Sequence, residues 1–167
     1  ASREVLHSLD EIVWAVNPQN DTLEHLASYL GHYAQEYFQE TGIECKVDIP
    51  ERLPPYPLSS QLRHHLLLAV NEAFTNALKH SRASQVSVFV IYDGTALEIV
   101  ISDNGDGFDP SVIDPAATDS KTAAGNGLRN MSRRLADIGG RCSIESKVGQ
   151  GVTIRFVLPL NQPVEKW

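Results

Sequence analysis

The sequence predicts a two-layer α/β sandwich, a mixed, mostly antiparallel sheet of about five strands covered on one side by three helices. Three observations predict it. The element order is helix, helix, strand, helix, two strands, a long loop, helix, two strands, which is not the alternation of a doubly wound fold. One helix, from near Ser59 to about His80, is apolar around most of its girth and so belongs between layers. The last four strands pair as two hairpins, which makes most of the sheet antiparallel.

Residues 1–16 read as a helix with Val5, Leu9, Ile12, Val13 and Val16 along one side. Asn17-Pro18 ends it, because the residue before proline resists helical geometry. Such an apolar edge calls for a partner helix, as in a bundle; His7 on it reads as a solvated surface histidine. Asp21 or Thr22 caps a second helix with the stripe Leu23, Leu26, Ala27, Leu30, Ala34, Tyr37 and Phe38, and Gly42 ends it. Residues 43–49 alternate Ile43, Cys45, Val47 and Ile49 with Glu44, Lys46 and Asp48, the pattern of a half-buried strand. Residues 50–57 hold four prolines and form a stiff connector.

Ser59 or Ser60 caps the long helix. Leu62, Leu66, Ala69, Ala73 and Ala77 make one apolar face, and Leu67, Val70, Phe74 and Leu78 a second. Residues 85–92, with Val86, Val88, Val90 and Tyr92 on one face, and residues 96–102 are strands joined by the turn Asp93-Gly94-Thr95. Residues 109–124 show no periodicity, and a loop of that length in a compact domain is functional or mobile. Gly125-Asn126-Gly127-Leu128 leads into a helix with Leu128, Met131, Leu135 and Ile138 inward, stopped by Gly139-Gly140. Residues 141–147 and 152–159 close the domain as a hairpin.

Composition narrows the classes. At 167 residues the chain is one domain, or one domain plus a short leader, and a 42% apolar share suffices for a core. A net charge of −7 with no basic run excludes nucleic acid as a partner. Cys45 and Cys142 fit neither a metal spacing nor a disulfide framework, and read as small buried hydrophobes in a reducing compartment. No apolar run, that of residues 66–70 included, exceeds five residues, far too short to span a membrane. With no signal peptide and no initiator methionine, the chain reads as a cytoplasmic piece of something longer.

Four motifs remain. Glu72, Asn76 and Lys79, at i, i+4 and i+7, draw a polar stripe along the long apolar helix. Such groups are costly in a buried helix unless paired, so they are either satisfied core residues or oxygen ligands suited to Mg²⁺, with a lysine for a phosphate. Asp103-x-Gly105-x-Gly107 ends a strand. It is no EF-hand loop, since counting from Ser102 puts Ile113 where the bidentate glutamate belongs. Gly125-Asn126-Gly127 fails the dinucleotide fingerprint, having Asn130 for the last glycine and no preceding strand. No GxxxxGK[ST] exists, which excludes a P-loop. Gly149-x-Gly151-x-Thr153 turns the last hairpin.

Together, in this order, these motifs resemble the ATP-binding catalytic domain of sensor histidine kinases, in the GHKL (Bergerat-fold) group that also holds type II topoisomerases, Hsp90 and MutL. The N box corresponds to residues 71–80, the G1 box to 103–108, the G2 box to 125–128 and the closing turn to 149–153. Residues 8–18 resemble the end of the dimerisation helices in the nitrate-sensor-like subfamily, whose partners are NarL-type response regulators. A separate F box is unrecognisable.

The resemblance implies a division into a dimerisation or linker helix end (1–18), an ATP-binding domain (19–160) and a tail (161–167). It implies ATP and Mg²⁺ as cofactors. Asn76 would ligate the metal, Glu72 would support it or orient a water, and Lys79 and His80 would meet phosphates. Asp103 would accept a hydrogen bond from the adenine amino group, while Gly105 and Gly107 let the backbone approach the base. Residues 109–124 would form the ATP lid, hinged at Gly125 and Gly127, with Asn126 and Leu128 beside the nucleotide and amide groups of the helix start on the phosphates. Thr153 would lie beside Asp103 and reach adenine through a water. The acceptor would be a histidine on a dimerisation domain outside this chain, in a homodimeric, membrane-anchored sensor that relays to a regulator aspartate. An ATP hydrolase of the same group and a non-catalytic nucleotide-sensing module are the alternative classes.

Overall fold

The computed structural model describes residues 21–109 and 123–160; the expected leader helix, residues 110–122 of the expected lid and the tail from residue 161 lie outside them. The strands are β1 (Glu44–Asp48), β2 (Gln85–Tyr92), β3 (Ala96–Asp103), β4 (Arg141–Ser146) and β5 (Val152–Pro159). The helices are α1 (Leu23–Phe38), α2 (Ser60–His80) and α3 (Ala123–Asp137). The sheet order is β1-β2-β3-β5-β4. β1 and β2 run parallel because α2 is the crossover between them, and every other pairing is antiparallel. This is the mixed five-stranded sandwich that the element order predicts.

Local chemistry sets the helix ends. Thr22 Oγ1 accepts the His25 amide at 3.3 Å, and Ser59 Oγ accepts the Leu62 amide at 3.1 Å, so each caps its helix. α1 stops at Phe38, four residues before Gly42, which the sequence suggests as its end. Thr41 ends it instead, its hydroxyl donating to the Phe38 carbonyl at 2.7 Å and its amide at 3.2 Å. The turn this makes puts Glu40 at φ 64° and Gly42 at φ 84°.

The core lies between the sheet and the helices. Val86, Val88 and Val90 of β2, Leu97, Ile99 and Ile101 of β3, and Ile154, Phe156 and Leu158 of β5 are buried, as strand alternation requires. They form one cluster with Leu66, Ala73 and Phe74 of α2, Leu26 and Leu30 of α1, and Met131 and Leu135 of α3. Arg63 is the exception to the pattern. It is 2% exposed, with Nη1 donating to the Leu58 carbonyl at 2.6 Å, which covers the start of α2 with the proline-rich connector. One end of the sandwich brings together the ends of α2 and β3 and the starts of α3 and β5.

Candidate functional site

That end holds a cavity of about 450 Å³, lined by Ala73, Asn76, Ile101, Asp103, Val152 and Ile154 among others. Strand alternation decides which residues reach it. Ile101 and Asp103 on β3, and Val152 and Ile154 on β5, share the cavity face. Ser102 and Thr153 stand opposite each other on the other face, their hydroxyls 2.9 Å apart. Thr153 is therefore turned away from Asp103, against the sequence expectation; it is Val152 that pairs with Asp103.

Asp103 is half-buried. Its Oδ1 accepts the Gly105 amide at 2.9 Å. Burial pushes its carboxyl above the ordinary value, against the amides of Gly105 and Val152, which pull it down. The loop that follows is held by backbone groups. The Asp106 amide donates to the Ser81 carbonyl at 2.6 Å, the Gly149 amide to the Asp106 carbonyl at 2.5 Å, and the Phe108 amide to Ser146 Oγ at 2.9 Å. Ser146 Oγ donates in turn to the Gly151 carbonyl at 2.9 Å.

These contacts explain the glycines differently from the sequence reading. A Cβ on Gly105 would strike the Ser81 carbonyl, and one on Gly107 (φ 66°) the Lys147 carbonyl. The neighbour that a side chain would meet at both positions is protein backbone. Gly107 still lines the cavity.

The other wall is made of side chains. Asn76, His80 and Ser81 reach the cavity from α2, and Leu128 reaches it from α3. The polar stripe is not enclosed in the core: Glu72 and Asn76 are half-buried, and Lys79 and His80 are exposed. Lys79 does not line the cavity, and Glu72 sits one turn back from it, against α3. The position of a Cβ on Gly127 would be 2.7 Å from Glu72 Oε2 and 3.3 Å from both amide atoms of Asn76, so the two side chains converge there.

α3 already begins at Ala123, so Gly125, Asn126 and Gly127 lie inside its first turns. The amide of Gly127 belongs to the helix ladder, and what Gly127 contributes is the missing Cβ that lets α3 sit on Glu72 and Asn76. Gly127 lies within the helix, past the start at which the sequence puts a hinge.

Sequence reasoning passes over Ser81 and Ser146. Ser81 is 5% exposed; its Oγ donates to the Ala77 carbonyl at 2.6 Å and accepts the Ala83 amide at 3.1 Å, which leaves its carbonyl for Asp106. Each is a lone serine beside an element boundary, with no local pattern to distinguish it. Among the described residues no group of three or more His, Cys, Asp or Glu is arranged to hold a metal. The donors available are the Glu72 and Asn76 oxygens, a pair suited to Mg²⁺, which keeps waters and takes its remaining ligands from a substrate. The cavity thus offers a carboxyl in apolar surroundings at one end and, at the other, an amide oxygen beside the exposed His80.

Residues 61–162 match the family described as histidine kinase-, DNA gyrase B-, and HSP90-like ATPase. Sensor histidine kinase LiaS of Bacillus subtilis (strain 168) is 31% identical over 125 residues, covering 75% of this chain and 32% of LiaS. Sensor histidine kinase LnrJ of the same strain is 28% identical over 166 residues, covering 99% of this chain and 37% of LnrJ. The chain thus spans about a third of the length of these relatives. The histidine kinase domain of a blue-light activated histidine kinase from Erythrobacter litoralis EL346 shares the fold, with a TM-score of 0.66 at 22% identity over 92% of this chain and 75% of that one.

Proposed function

The chain belongs to the histidine kinase-, DNA gyrase B-, and HSP90-like ATPase family, and from that premise we propose that it is the ATP-binding catalytic part of a two-component sensor histidine kinase. The observation that carries this reading is a single cavity with Asp103 in one wall and Asn76 in the other. Between them Ala73, Ile101, Val152 and Ile154 would flank the adenine. A half-buried carboxylate in such apolar surroundings has lone pairs to spare for a donor, and the exocyclic amine of adenine is one.

Phosphoryl transfer asks the protein chiefly for positioning and charge neutralisation. Asn76, with Glu72 beside it, would hold Mg²⁺; when bound, the ion neutralises the phosphates and aligns the transferred group. Glu72 would otherwise orient a water. His80 at the cavity, and Lys79 exposed next to it, would bind phosphate oxygens. The first-turn amides of α3, from Gly125 and Asn126, would add donors at a helix N-terminus. Leu128 and Gly107 would border the nucleotide, and Gly105 would keep the Asp103 loop on Ser81. Thr153 drops out of the base-contacting set.

The same reading makes residues 19–160 the ATP-binding domain, 1–18 the end of a dimerisation helix and 161–167 a tail. The phosphoryl acceptor would be a histidine of a dimerisation domain in the same homodimeric protein, and a NarL-type regulator would receive the group. Support for that subfamily is the likeness of residues 8–18 to its dimerisation helices. Among the described residues no helix is long and apolar enough to cross a membrane; the membrane anchor of the proposed sensor would be another part of it.

Calorimetric titration of a non-hydrolysable ATP analogue, with and without Mg²⁺, into the chain and its Asp103→Ala and Asn76→Ala variants tests the reading. Binding lost in the first variant, and its magnesium dependence lost in the second, is the outcome expected. A chain that ignores the nucleotide would refute it.

A further inference from the structure

α1 and α2 meet along a row of tyrosines. Tyr29, Tyr33 and Tyr37 are spaced four apart on α1, so they stand one above another. Tyr29 stacks on Tyr33, with centroids 5.9 Å apart and planes at 14°, and Tyr37 packs on Phe74 of α2 at 5.4 Å. Tyr33 is 3% exposed and Tyr37 7%, too deep to leave their hydroxyls to bulk water. Both reach α2. Tyr33 Oη donates to Asn71 Oδ1 at 2.6 Å, and the Tyr37 hydroxyl shares a hydrogen bond of 2.9 Å with Thr75 Oγ1.

Asn71 and Thr75 are themselves four apart, and each immediately precedes a member of the pair Glu72 and Asn76. Packing accounts for the rings and not for the hydroxyls, since phenylalanine would fill the space with no polar group to desolvate. What the hydroxyls add is direction. The buried side of α2 carries Leu66, Leu67, Val70 and Phe74 beside the row Ala69, Ala73 and Ala77, so apolar packing seats the helix and the hydrogen bonds add a directional constraint on its rotation. Two hydrogen bonds of matching spacing key it firmly. Rotation by about 20° would carry an oxygen at the helix rim about 2 Å, the length of a whole magnesium–oxygen bond.

We infer that Tyr33 and Tyr37 are positioning residues for the metal end of the site: through Asn71 and Thr75 they hold α2 at the rotation that turns Glu72 and Asn76 together toward Gly127. The inference rests on the proposed ATP reading and deepens it. It is distinct from a role in stability alone, because the two hydroxyls grip the residues that immediately precede Glu72 and Asn76, whereas Asp103 stands on β3.

The test is the Tyr33→Phe/Tyr37→Phe double variant of this chain, titrated with the ATP analogue in Mg²⁺ and again in EDTA. The gain in affinity that magnesium gives should fall roughly tenfold, the lower end of what outer partners of metal ligands contribute, while affinity in EDTA stays as in the wild type. Asn71→Asp keeps an acceptor for Tyr33 and should preserve the magnesium gain; Asn71→Leu should lose it. An unchanged magnesium gain in the double variant and in Asn71→Leu, or an equal loss with and without magnesium, overturns the inference. A wild-type chain with no magnesium gain overturns it together with the ATP reading, and that outcome is visible before any variant is made.

Discussion

The two ends of the cavity are built from different materials. Around Asp103 the wall is backbone: the carbonyls of Ser81, Asp106 and Gly151 each take a hydrogen bond from the neighbouring segments, and the glycines are required where those carbonyls pass. Around Asn76 the wall is side chains, namely Asn76 and His80 on α2, and behind them Glu72 and Asn76 meet the first turns of α3 only because Gly127 has no Cβ. The first end is made when the chain folds. The second can adjust by rotamer or by a small rotation of a helix. Substitutions in the backbone-held wall around Asp103, the Asp103 carboxyl itself apart, should therefore act on stability, and substitutions at the second end on binding.

Two glycines of one turn give the sharpest test of the rigid end. Gly149 and Gly151 share φ 81°, yet a Cβ on Gly149 would meet nothing within 4 Å while one on Gly151 would strike the Asp103 carbonyl. Gly149→Ala should cost about 1–2 kcal/mol, the penalty of the left-handed backbone alone. Gly151→Ala should cost about 3–5 kcal/mol, because backbone must move as well. Urea unfolding of both variants measures the difference, and equal losses would mean that the Asp103 loop gives way easily.

Ser146→Ala comes next. It leaves the Phe108 amide and the Gly151 carbonyl without their shared partner, which should cost about 1–2 kcal/mol in the same unfolding assay. A smaller loss would mean that water replaces the hydroxyl and that this wall is wetter than its hydrogen bonds suggest.

Gly127→Ala should break the pattern in the opposite sense. Alanine gains about 1 kcal/mol of helix propensity over glycine, offset by pushing aside Glu72 Oε2, the free end of a flexible side chain. Stability should stay within about 1 kcal/mol of the wild type, while magnesium-dependent affinity for the ATP analogue falls about tenfold. Loss of stability with unchanged affinity would show that the Asn76 end is as rigid as the other.

The same contrast explains what the sequence made legible. Periodicity located every described strand and helix, because burial on one face is a local pattern. Glycine spacing marked the Asp103 loop, but not its cause, since Ser81 and Lys147 are far away along the chain. Thr153 looked like a neighbour of Asp103 because spacing does not report a sheet face; the register that pairs it with Ser102 does. The start of α3 was hidden because glycine-rich residues read as a boundary, whereas packing against Glu72 carries the helix through them. Ser81 and Ser146 act through atoms that any serine has, and only the fold selects them.

The smallest expected effect tests whether burial or the backbone amides govern Asp103. Burial holds its carboxyl above the ordinary 3.8, with the Gly105 and Val152 amides opposing. Between 3.8 and that raised value the native chain binds more protons than the unfolded one. The stability this group contributes is thus full below the unfolded value and is lost as pH rises through the folded one. Asp103→Asn has no charge to desolvate and keeps an oxygen for the Gly105 amide. It should be at least as stable as the wild type near about pH 7, by less than about 1 kcal/mol, and lose that advantage as the pH falls toward the ordinary carboxylate value. Unfolding midpoints of the two proteins across that range give the sign directly. An advantage that grows on acidification would mean that the amides outweigh burial, and that the Asp103 end is an anion site first and a base-recognition wall second.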